Sequence, residues 1–358
     1  MALGIKKRAL FVLVPVICVM ALVRFSRYQP SEGDSYRMLR VELATSAFTA
    51  TETEASTDGG NGASYAPLSQ SDVDGVEKFV LFIGHGRSGH SIIGAMVDAH
   101  PNAVIAHEYR VLRPCVISED LQIQSKAELF SALYKNSYNN SKYGWRSDRD
   151  TKKGYNLHLQ SRWQGSFRQL RVIGDKGAGM LSRMFANNFT KATECFDLLK
   201  ETIKIPIVMF HVIRNPFDMI ATFLADTYQV PNVREMLLDG KKLTLKPAAI
   251  MRVARAVFRK AEASLTAMNS DTMKNLVVVR IHIERFTKYP QEHIKKICET
   301  LGIPCPDWYI EVCHEKVYKN ISKSREIIEW DDDVVDKILE MMKKFPFFSG
   351  YTLSSESI

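Results

Sequence analysis

The chain has 358 residues and a formal net charge of +8, and 46% of its residues are hydrophobic and 25% charged. Such a chain can bury a full core, which excludes a wholly disordered protein. The positive charge favours anionic partners without choosing among nucleotides, sulfated glycans, acidic peptides and membrane surfaces. The sequence contains no interleaved basic and aromatic nucleic-acid motif, no zinc-ligand spacing and no Cys-x-x-Cys pair. We therefore predict neither nucleic-acid binding nor a structural metal.

The N-terminus carries a membrane signal. Basic residues 6–8 precede an uninterrupted apolar run over 9–23, which Arg24 and Arg27 close. The run is shorter than the roughly 20 residues of a typical span, but a thin early-secretory bilayer and snorkelling flanks reduce the mismatch. Denser positive charge before the run places the N-terminus in the cytosol. We predict a cytosolic tail over 1–8 and a signal-anchor over 9–24 with type II topology. The alternative is a cleaved signal peptide, although no clear small-x-small cleavage site follows the run.

Composition changes twice after the apolar run. Residues 25–75 are rich in Ser, Thr, Glu and Gly without a sustained period, which predicts a flexible lumenal stem. Over 76–350, short apolar runs alternate with helical patterns, which is typical of an α/β domain with a parallel sheet covered by helices. Ligands of such sheets collect at the carboxyl ends of the strands. The predicted strands are Phe79–Ile83, Ala103–Ala106, Arg171–Gly174, Pro206–Ile213 and Leu276–Ile283.

The first predicted strand leads into a glycine-rich loop over 84–91, followed by a helical pattern. Glycines let backbone N–H groups turn inward around an anion, and the start of the helix adds its positive end. The loop reads G-x-x-x-x-G-H-S, one residue away from the nucleoside-triphosphate loop G-x-x-x-x-G-K-S/T. His90 is a poor substitute for that Lys, whereas Arg87 supplies a permanent charge inside the loop. We predict a phosphate loop; an ordinary glycine-rich turn is the alternative.

A second anion site is predicted after the strand that ends at residue 213. There Asn215 can cap a helix and Pro216 can start it. Arg214 at the strand end and the Thr222 hydroxyl on the helix can converge on one phosphate. The alternative is a capped helix with a surface Arg.

Together the two motifs resemble those that bind PAPS (3′-phosphoadenosine 5′-phosphosulfate) in sulfotransferases. The family patterns R-S-G-T-T/S and R-N/D-P-x-D-x-x-x-S stand here at 87–91 and 214–222, with His90 for Thr and Thr222 for Ser. Residues 277–302 resemble the family's late strand and helix, and 322–325 resemble its nucleotide-closing loop. The resemblance spans roughly 77–350 and implies a P-loop-type fold, PAPS as the donor substrate and no metal. It assigns donor binding to Arg87, Ser88, Gly89, His90, Ser91, Arg214 and Thr222.

The sequence over 95–111 is most similar to tyrosylprotein sulfotransferases. Their A-M-L-D-A-H-P is echoed at 95–101, and in place of their G-E-E-T-R-V this sequence has A-H-E-Y-R-V at 106–111. The resemblance implies Glu108 as the catalytic base and Lys176 as the catalytic Lys. The family's preceding Glu is His107 here, which makes His107 a rival base. The acceptor, a glycan or a protein tyrosine, therefore stays open.

Sulfuryl transfer is an in-line displacement at sulfur, which needs a base for the acceptor hydroxyl and cations where charge builds on the leaving phosphate. The hypothesis assigns the base to Glu108 and charge stabilisation to Arg87 and Lys176. The resemblance also implies a Golgi membrane location with a lumenal catalytic domain, and a homodimer is a further expectation. Two other functions remain: a P-loop kinase, disfavoured by the missing loop Lys, and a membrane-tethered pseudoenzyme that binds nucleotide or glycan.

Further residue patterns fit a secreted or lumenal enzyme. Five cysteines lie outside the apolar run, so one or two disulfides are expected, most simply among Cys298, Cys305 and Cys313, with the connectivity open. Asn139, Asn188 and Asn320 stand in glycosylation sequons. Residues 142–171 carry interleaved cations and aromatic rings, which suits an anionic glycan or protein acceptor; a solvated insertion is the alternative.

Overall fold

In the computed structural model, the described residues are 65–118, 122–145, 156–161, 163–230 and 233–355. The predicted tail and signal-anchor, and the predicted stem up to residue 64, lie outside them. Within the described ranges, no helix combines the length and apolar character needed to cross a membrane. The strands are β1 Lys78–Gly84, β2 Ala103–His107, β3 Val172–Lys176, β4 Ile207–Ile213 and β5 Val277–His282. The helices are α1 Gln70–Asp74, α2 His90–Asp98, α3 Arg113–Ile117, α4 Lys126–Ser141, α5 Ala178–Asn187, α6 Phe189–Ile203, α7 Pro216–Thr227, α8 Val233–Leu238, α9 Pro247–Asn269, α10 Ile283–Lys288, α11 Pro290–Leu301, α12 Asp307–Lys316 and α13 Asp332–Met342, with 3₁₀ helices at Ser324–Ile327 and Pro346–Phe348.

The five strands form one parallel sheet in the order β2-β3-β1-β4-β5. All five predicted strands are confirmed, with ends shifted by one or two residues. Alternate residues of β1 enter different cores: Phe79 and Leu81 pack with one layer of helices, and Val80 and Phe82 with the other. This alternation follows from the two-residue period of a strand that is covered on both faces. The α/β fold with a helix-flanked parallel sheet is therefore confirmed.

The folded region includes residues 65–75, which the sequence assigns to the stem. Ser69 caps α1, and Asp72 completes a capping box by accepting from the Ser69 backbone. Val73 is buried, and the ring of Tyr65 stacks on Tyr134 at 5.3 Å between ring centroids. Composition rich in Ser, Asp and Gly does not predict so short a helix. Its stability comes from packing against α4, which the local sequence does not show.

The disulfide joins Cys115 in α3 to Cys195 in α6. The expectation of a bridge among Cys298, Cys305 and Cys313 is corrected, because the structure leaves all three as thiols. The prediction relied on cysteines that are close in sequence, whereas tertiary packing brings together two cysteines that are 80 residues apart. A bridge closing a loop of that length contributes about 4 kcal/mol on the chain-entropy model.

Candidate functional site

The predicted phosphate loop lies between the end of β1 and the start of α2. Arg87 and Gly89 both adopt positive φ, at 65° and 90°, which turns the chain sharply into the helix. A Cβ atom at Gly89 would lie 2.7 Å from Cγ1 of Ile283, so only glycine fits both the backbone conformation and the space. The Ser88 hydroxyl donates to the His85 carbonyl at 2.9 Å. No described side chain caps α2, so its first N–H groups point to where an anion can bind.

His90, the first residue of α2, is buried. Burial and the positive charges of Lys176 and Arg87 together lower the pKa of His90 to about 3, although Glu108 and a backbone hydrogen bond with His85 act to raise it. The imidazole is therefore neutral at physiological pH. Consequently His90 cannot supply the charge that the Lys of a nucleoside-triphosphate loop places on its phosphates.

Lys176 supplies a buried positive charge beside the loop. It ends β3, its side chain is 0% exposed, and its Nζ donates to Ser91 Oγ at 3.2 Å and to Glu108 Oε1 at 3.1 Å. The ammonium also lies 5.6 Å from the ring centroid of Trp145. The structure thus brings together three residues that the sequence analysis assigned separately: Ser91 at the loop, Glu108 after β2 and Lys176 after β3.

A neighbouring carboxylate shapes the backbone around Glu108. The buried Asp175 accepts from the backbone N–H of Tyr109 at 2.9 Å, Arg110 at 2.7 Å and Val111 at 3.1 Å. Glu108 has a φ of 54°, a left-handed conformation that costs a non-glycine residue energy, and its N–H donates to the Lys176 carbonyl. Asp175 therefore positions Glu108. The sequence analysis missed this role, although an Asp directly before the predicted catalytic Lys was a usable signal.

The charge state of Glu108 follows from its surroundings. Burial raises the pKa of Glu108, but Lys176 and His107 outweigh burial and hold it at about 2. Glu108 is therefore an ionised carboxylate at every physiological pH. The rival base His107 packs edge-on against Trp145, at 4.9 Å between ring centroids.

Arg214 lies against the phosphate loop. Its guanidinium donates to the Arg87 carbonyl at 3.0 Å, to the Ser322 carbonyl at 3.2 Å and to Ser324 Oγ at 3.0 Å. The two predicted anion sites thus adjoin, and the segment 322–325 contacts the second one. The Thr222 hydroxyl donates to the Asp218 carbonyl one turn earlier in α7, at 2.8 Å, and so lies on the helix that begins after Arg214.

A buried ion pair, absent from the sequence predictions, supports this second site. Asp218 accepts from the backbone N–H of Arg325 at 2.8 Å and pairs with its guanidinium. Both side chains are almost fully buried, so removing one partner would leave an uncompensated charge. Asn215 caps α7 as predicted, accepting from Phe217 N at 3.0 Å. The guanidinium of Arg87 pairs with Asp226, which ties the phosphate loop to α7.

Trp145 is held beside Lys176 by the buried Asp98. One Asp98 oxygen accepts from Ser137 Oγ at 2.6 Å and Ile105 N at 2.7 Å. The other oxygen accepts from Trp145 Nε1 at 2.9 Å and Gly165 N at 3.0 Å. Burial raises the pKa of Asp98 to about 7 despite these four donors. Asp98 therefore anchors the beginning and the end of the segment that follows α4.

The raised pKa of Asp98 predicts a pH-dependent stability. An acid whose folded pKa lies above its unfolded value binds more protons in the folded state, so stability falls as pH rises between about 4 and 7. We expect the wild type to lose up to about 4 kcal/mol through this group, and Asp98→Asn, which cannot ionise, to lose none through it. Denaturant unfolding of both proteins at pH 4 and pH 8 measures the difference, and parallel slopes against pH would contradict it.

The structure divides the predicted acceptor segment 142–171. Trp145 belongs to the core, Arg171 pairs with Glu77 at 2.7 Å, and Phe167 packs on Tyr134. Each of these three side chains therefore has a structural partner or a core position, while the acceptor role of the segment as a whole stays a prediction. Residues 146–155 and 162, which hold most of the cations, lie outside the described residues. Asn139, Asn188 and Asn320 are all exposed; Asn188 also caps α6 by accepting from Lys191 N.

No protein-family model matches the chain, and no curated protein sequence matches it. Several solved structures are similar to part of it, among them the following three. A sulfotransferase from Mycobacterium avium has a TM-score of 0.39 and 11% identity, over 76% of this chain and 77% of that one. The sulfotransferase domain of the Synechococcus PCC 7002 olefin synthase has a TM-score of 0.37 and 11% identity, over 65% of this chain and 76% of that one. A sulfotransferase from Alicyclobacillus acidocaldarius has a TM-score of 0.36 and 12% identity, over 75% of this chain and 91% of that one.

Proposed function

We propose that this chain is a PAPS-dependent sulfotransferase that transfers a sulfuryl group to an acceptor hydroxyl. One observation carries the proposal: the buried Lys176 ammonium bonds at the same time to Ser91, at the start of the phosphate-loop helix, and to the carboxylate of Glu108. A phosphate bound at the loop and a hydroxyl approaching Glu108 would therefore meet at Lys176. The motif resemblance of 87–91 and 214–222 agrees with this assignment.

In the proposed reaction, the acceptor oxygen forms a bond to sulfur while the bond from sulfur to the bridging phosphate oxygen breaks. The acceptor proton passes to a Glu108 oxygen. Negative charge on the leaving phosphate is stabilised by Lys176 and by the N-terminus of α2. When Lys176 turns from Glu108 to the leaving oxygen, the strongest influence that lowers the Glu108 pKa is removed, so the carboxylate becomes a better base as the transfer proceeds.

The donor's two ends fit the two anion sites. The 5′-phosphosulfate would bind the loop 87–91, where Gly89 keeps the backbone open. The 3′-phosphate would bind Arg214, whose guanidinium lies between the Arg87 carbonyl and Ser324 Oγ. The hydroxyls of Ser324 and Thr222 are further donors on that side. The neutral His90 opposes the kinase alternative.

Turnover with labelled PAPS over a panel of glycan and peptide acceptors tests the proposal. We expect label in an acceptor without added magnesium, and binding of 3′,5′-ADP, which carries both phosphates of the donor product. Tight binding of ATP with magnesium and none of 3′,5′-ADP would point to a kinase instead. Binding of 3′,5′-ADP without transfer to any acceptor would favour the pseudoenzyme.

The Arg214 site predicts a nucleotide-specific loss. Arg214→Ala should weaken binding of 3′,5′-ADP by about tenfold to a hundredfold, because a charge-assisted hydrogen bond is lost. Binding of AMP, which lacks the 3′-phosphate, should change far less. Calorimetric titration of both nucleotides measures this, with the exposed Arg252→Ala in α9 as the control. Equal losses for both nucleotides would contradict the assignment of Arg214.

We further propose that the domain works in the Golgi lumen behind a type II membrane anchor. The Cys115–Cys195 disulfide supports an oxidising compartment, and the exposure of all three sequon asparagines suits glycosylation. Protease protection of the full chain in sealed microsomes tests the topology: a lumenal domain would be protected and would carry glycans. Cleavage of the domain in intact vesicles would contradict it.

A further inference from the structure

A groove of about 790 Å³ opens at the amino ends of the strands, on the side of the sheet opposite to the proposed catalytic residues at the carboxyl ends. Its residues Asn102 and Arg171 directly precede β2 and β3, whereas Glu108 and Lys176 follow and end the same strands. A strand advances by about 3.3 Å per residue, so the groove lies about 20 Å from Glu108. Its volume falls within the roughly 300–1,000 Å³ of ligand sites in proteins. The groove is therefore separate from the donor site.

The groove is built on a fixed frame. The ring of His100, which is fully buried, bonds through Nε2 to the Pro304 carbonyl at 2.7 Å and through Nδ1 to Asn102 N at 3.0 Å. The same ring packs edge-on against Tyr309, next to Trp308. Burial lowers the pKa of His100 to about 4, so this junction stays uncharged at physiological pH. The segment that carries Trp308 is thus fixed against His100 and Asn102 before any ligand binds, so the groove is preorganised.

Aromatic and polar groups on the walls are open to a ligand. Trp308 is 41% exposed, so part of its indole ring is accessible to a ligand in the groove. Among the described residues, the Trp308 indole, the Arg168 guanidinium and the Gln160 and Gln169 side-chain amides form no hydrogen bond or ion pair. Trp163 lines the same groove.

The charge of the groove is positive. Arg168 and Arg171 both line it, and no Asp or Glu of the described ranges does. Arg171 is paired with Glu77, which leaves Arg168 as the group that can meet a ligand's anionic charge. An indole face suits the apolar face of a sugar ring, side-chain amides suit sugar hydroxyls, and a guanidinium holds a carboxylate with two hydrogen bonds.

From this combination we propose that the groove is a binding site for an acidic glycan, a chain of sugars that carry carboxylates. A peptide could also pack on the aromatic surface, but it would need backbone partners such as those of an open strand edge. The groove offers side-chain amides instead, which favour the hydroxyl groups of a sugar over the backbone of a peptide. The bound glycan would be the acceptor chain, held several sugar units away from the reacting hydroxyl. Only that last step rests on the proposed sulfuryl transfer; binding to the groove does not.

Calorimetric titration of the full chain with an octasaccharide of hyaluronan tests the site without any donor. We expect Trp308→Ala and Arg168→Gln each to weaken binding by about tenfold or more. The first variant removes the aromatic ring that would stack on a sugar, and the second removes the positive charge that would bind a carboxylate. Maltooctaose, which has no carboxylates, should bind more weakly to the wild type. Both variants should bind 3′,5′-ADP as the wild type does.

Matched controls separate the groove from general surface effects. Tyr289→Ala removes an aromatic side chain that is also 41% exposed, and Arg252→Gln removes one exposed charge. Neither control should change octasaccharide binding. The proposal would be overturned if Trp308→Ala and Arg168→Gln bound the octasaccharide as tightly as the control variants do, or if the wild type bound maltooctaose as tightly as the octasaccharide. It would also be overturned if an acidic tyrosine peptide, and not the octasaccharide, bound in a way that depends on the groove residues. Failure of 3′,5′-ADP to bind the wild type would instead contradict the proposed function and leave the groove result standing.

Discussion

Glu108→Gln should lower turnover by about a hundredfold or more while binding of 3′,5′-ADP stays as in the wild type. The amide keeps the size of the side chain but cannot accept the acceptor's proton, and general bases contribute about 10²–10⁴ in rate. The left-handed backbone at Glu108 is held by Asp175 through main-chain N–H groups, so the substitution should leave the loop in place. Steady-state turnover and nucleotide titration measure the two parts.

Two further measurements make this prediction specific to Glu108. Glu299→Gln, an exposed carboxylate in α11, is the matched control and should keep full activity. Because the pKa of Glu108 lies at about 2, kcat/KM should show no acid limb from this group between pH 5 and 8. A histidine base with an ordinary pKa of about 6.5 would produce one. An acid limb that disappears in His107→Gln, together with an active Glu108→Gln, would transfer the base role to His107.

Lys176→Met should lower kcat by about a hundredfold to a thousandfold with little change in acceptor KM. The ammonium is placed where charge develops in the transition state, and removal of one such preorganised donor costs about 10²–10³ in rate. Met fills nearly the same buried volume against Trp145, so the fold should persist. Loss of a fully buried charge can even raise stability, since its desolvation cost disappears.

Thermal unfolding and kinetics together separate catalysis from folding for this variant. Lys200→Met removes a half-exposed ion pair of similar length, 3.0 Å to Asp197, and serves as the control. It should retain wild-type kcat. If Lys176→Met retained kcat within tenfold of the wild type, or lost activity only in proportion to unfolded protein, Lys176 would be a structural ion-pair partner rather than a catalytic residue.

Local patterns determined much of this protein before any tertiary contact was considered. Short apolar runs predicted all five strands, because a strand covered on both faces must be apolar throughout. The glycines of 84–89 and the Asn-Pro step after Arg214 predicted the turn and the helix start, since both depend on the conformations those residues allow. Strand ends in turn predicted where Glu108 and Lys176 would lie, because parallel strands end at one edge of the sheet.

Only the tertiary structure decided which distant groups meet. Asp175 shapes the backbone of Glu108, Asp98 holds Trp145 beside Lys176, and Cys115 pairs with Cys195 across 80 residues. The groove at the opposite edge likewise joins the segment before β2 to the start of α12. None of these contacts leaves a periodic trace in sequence, because each depends on how whole elements pack and on whether a buried polar group finds its partner there.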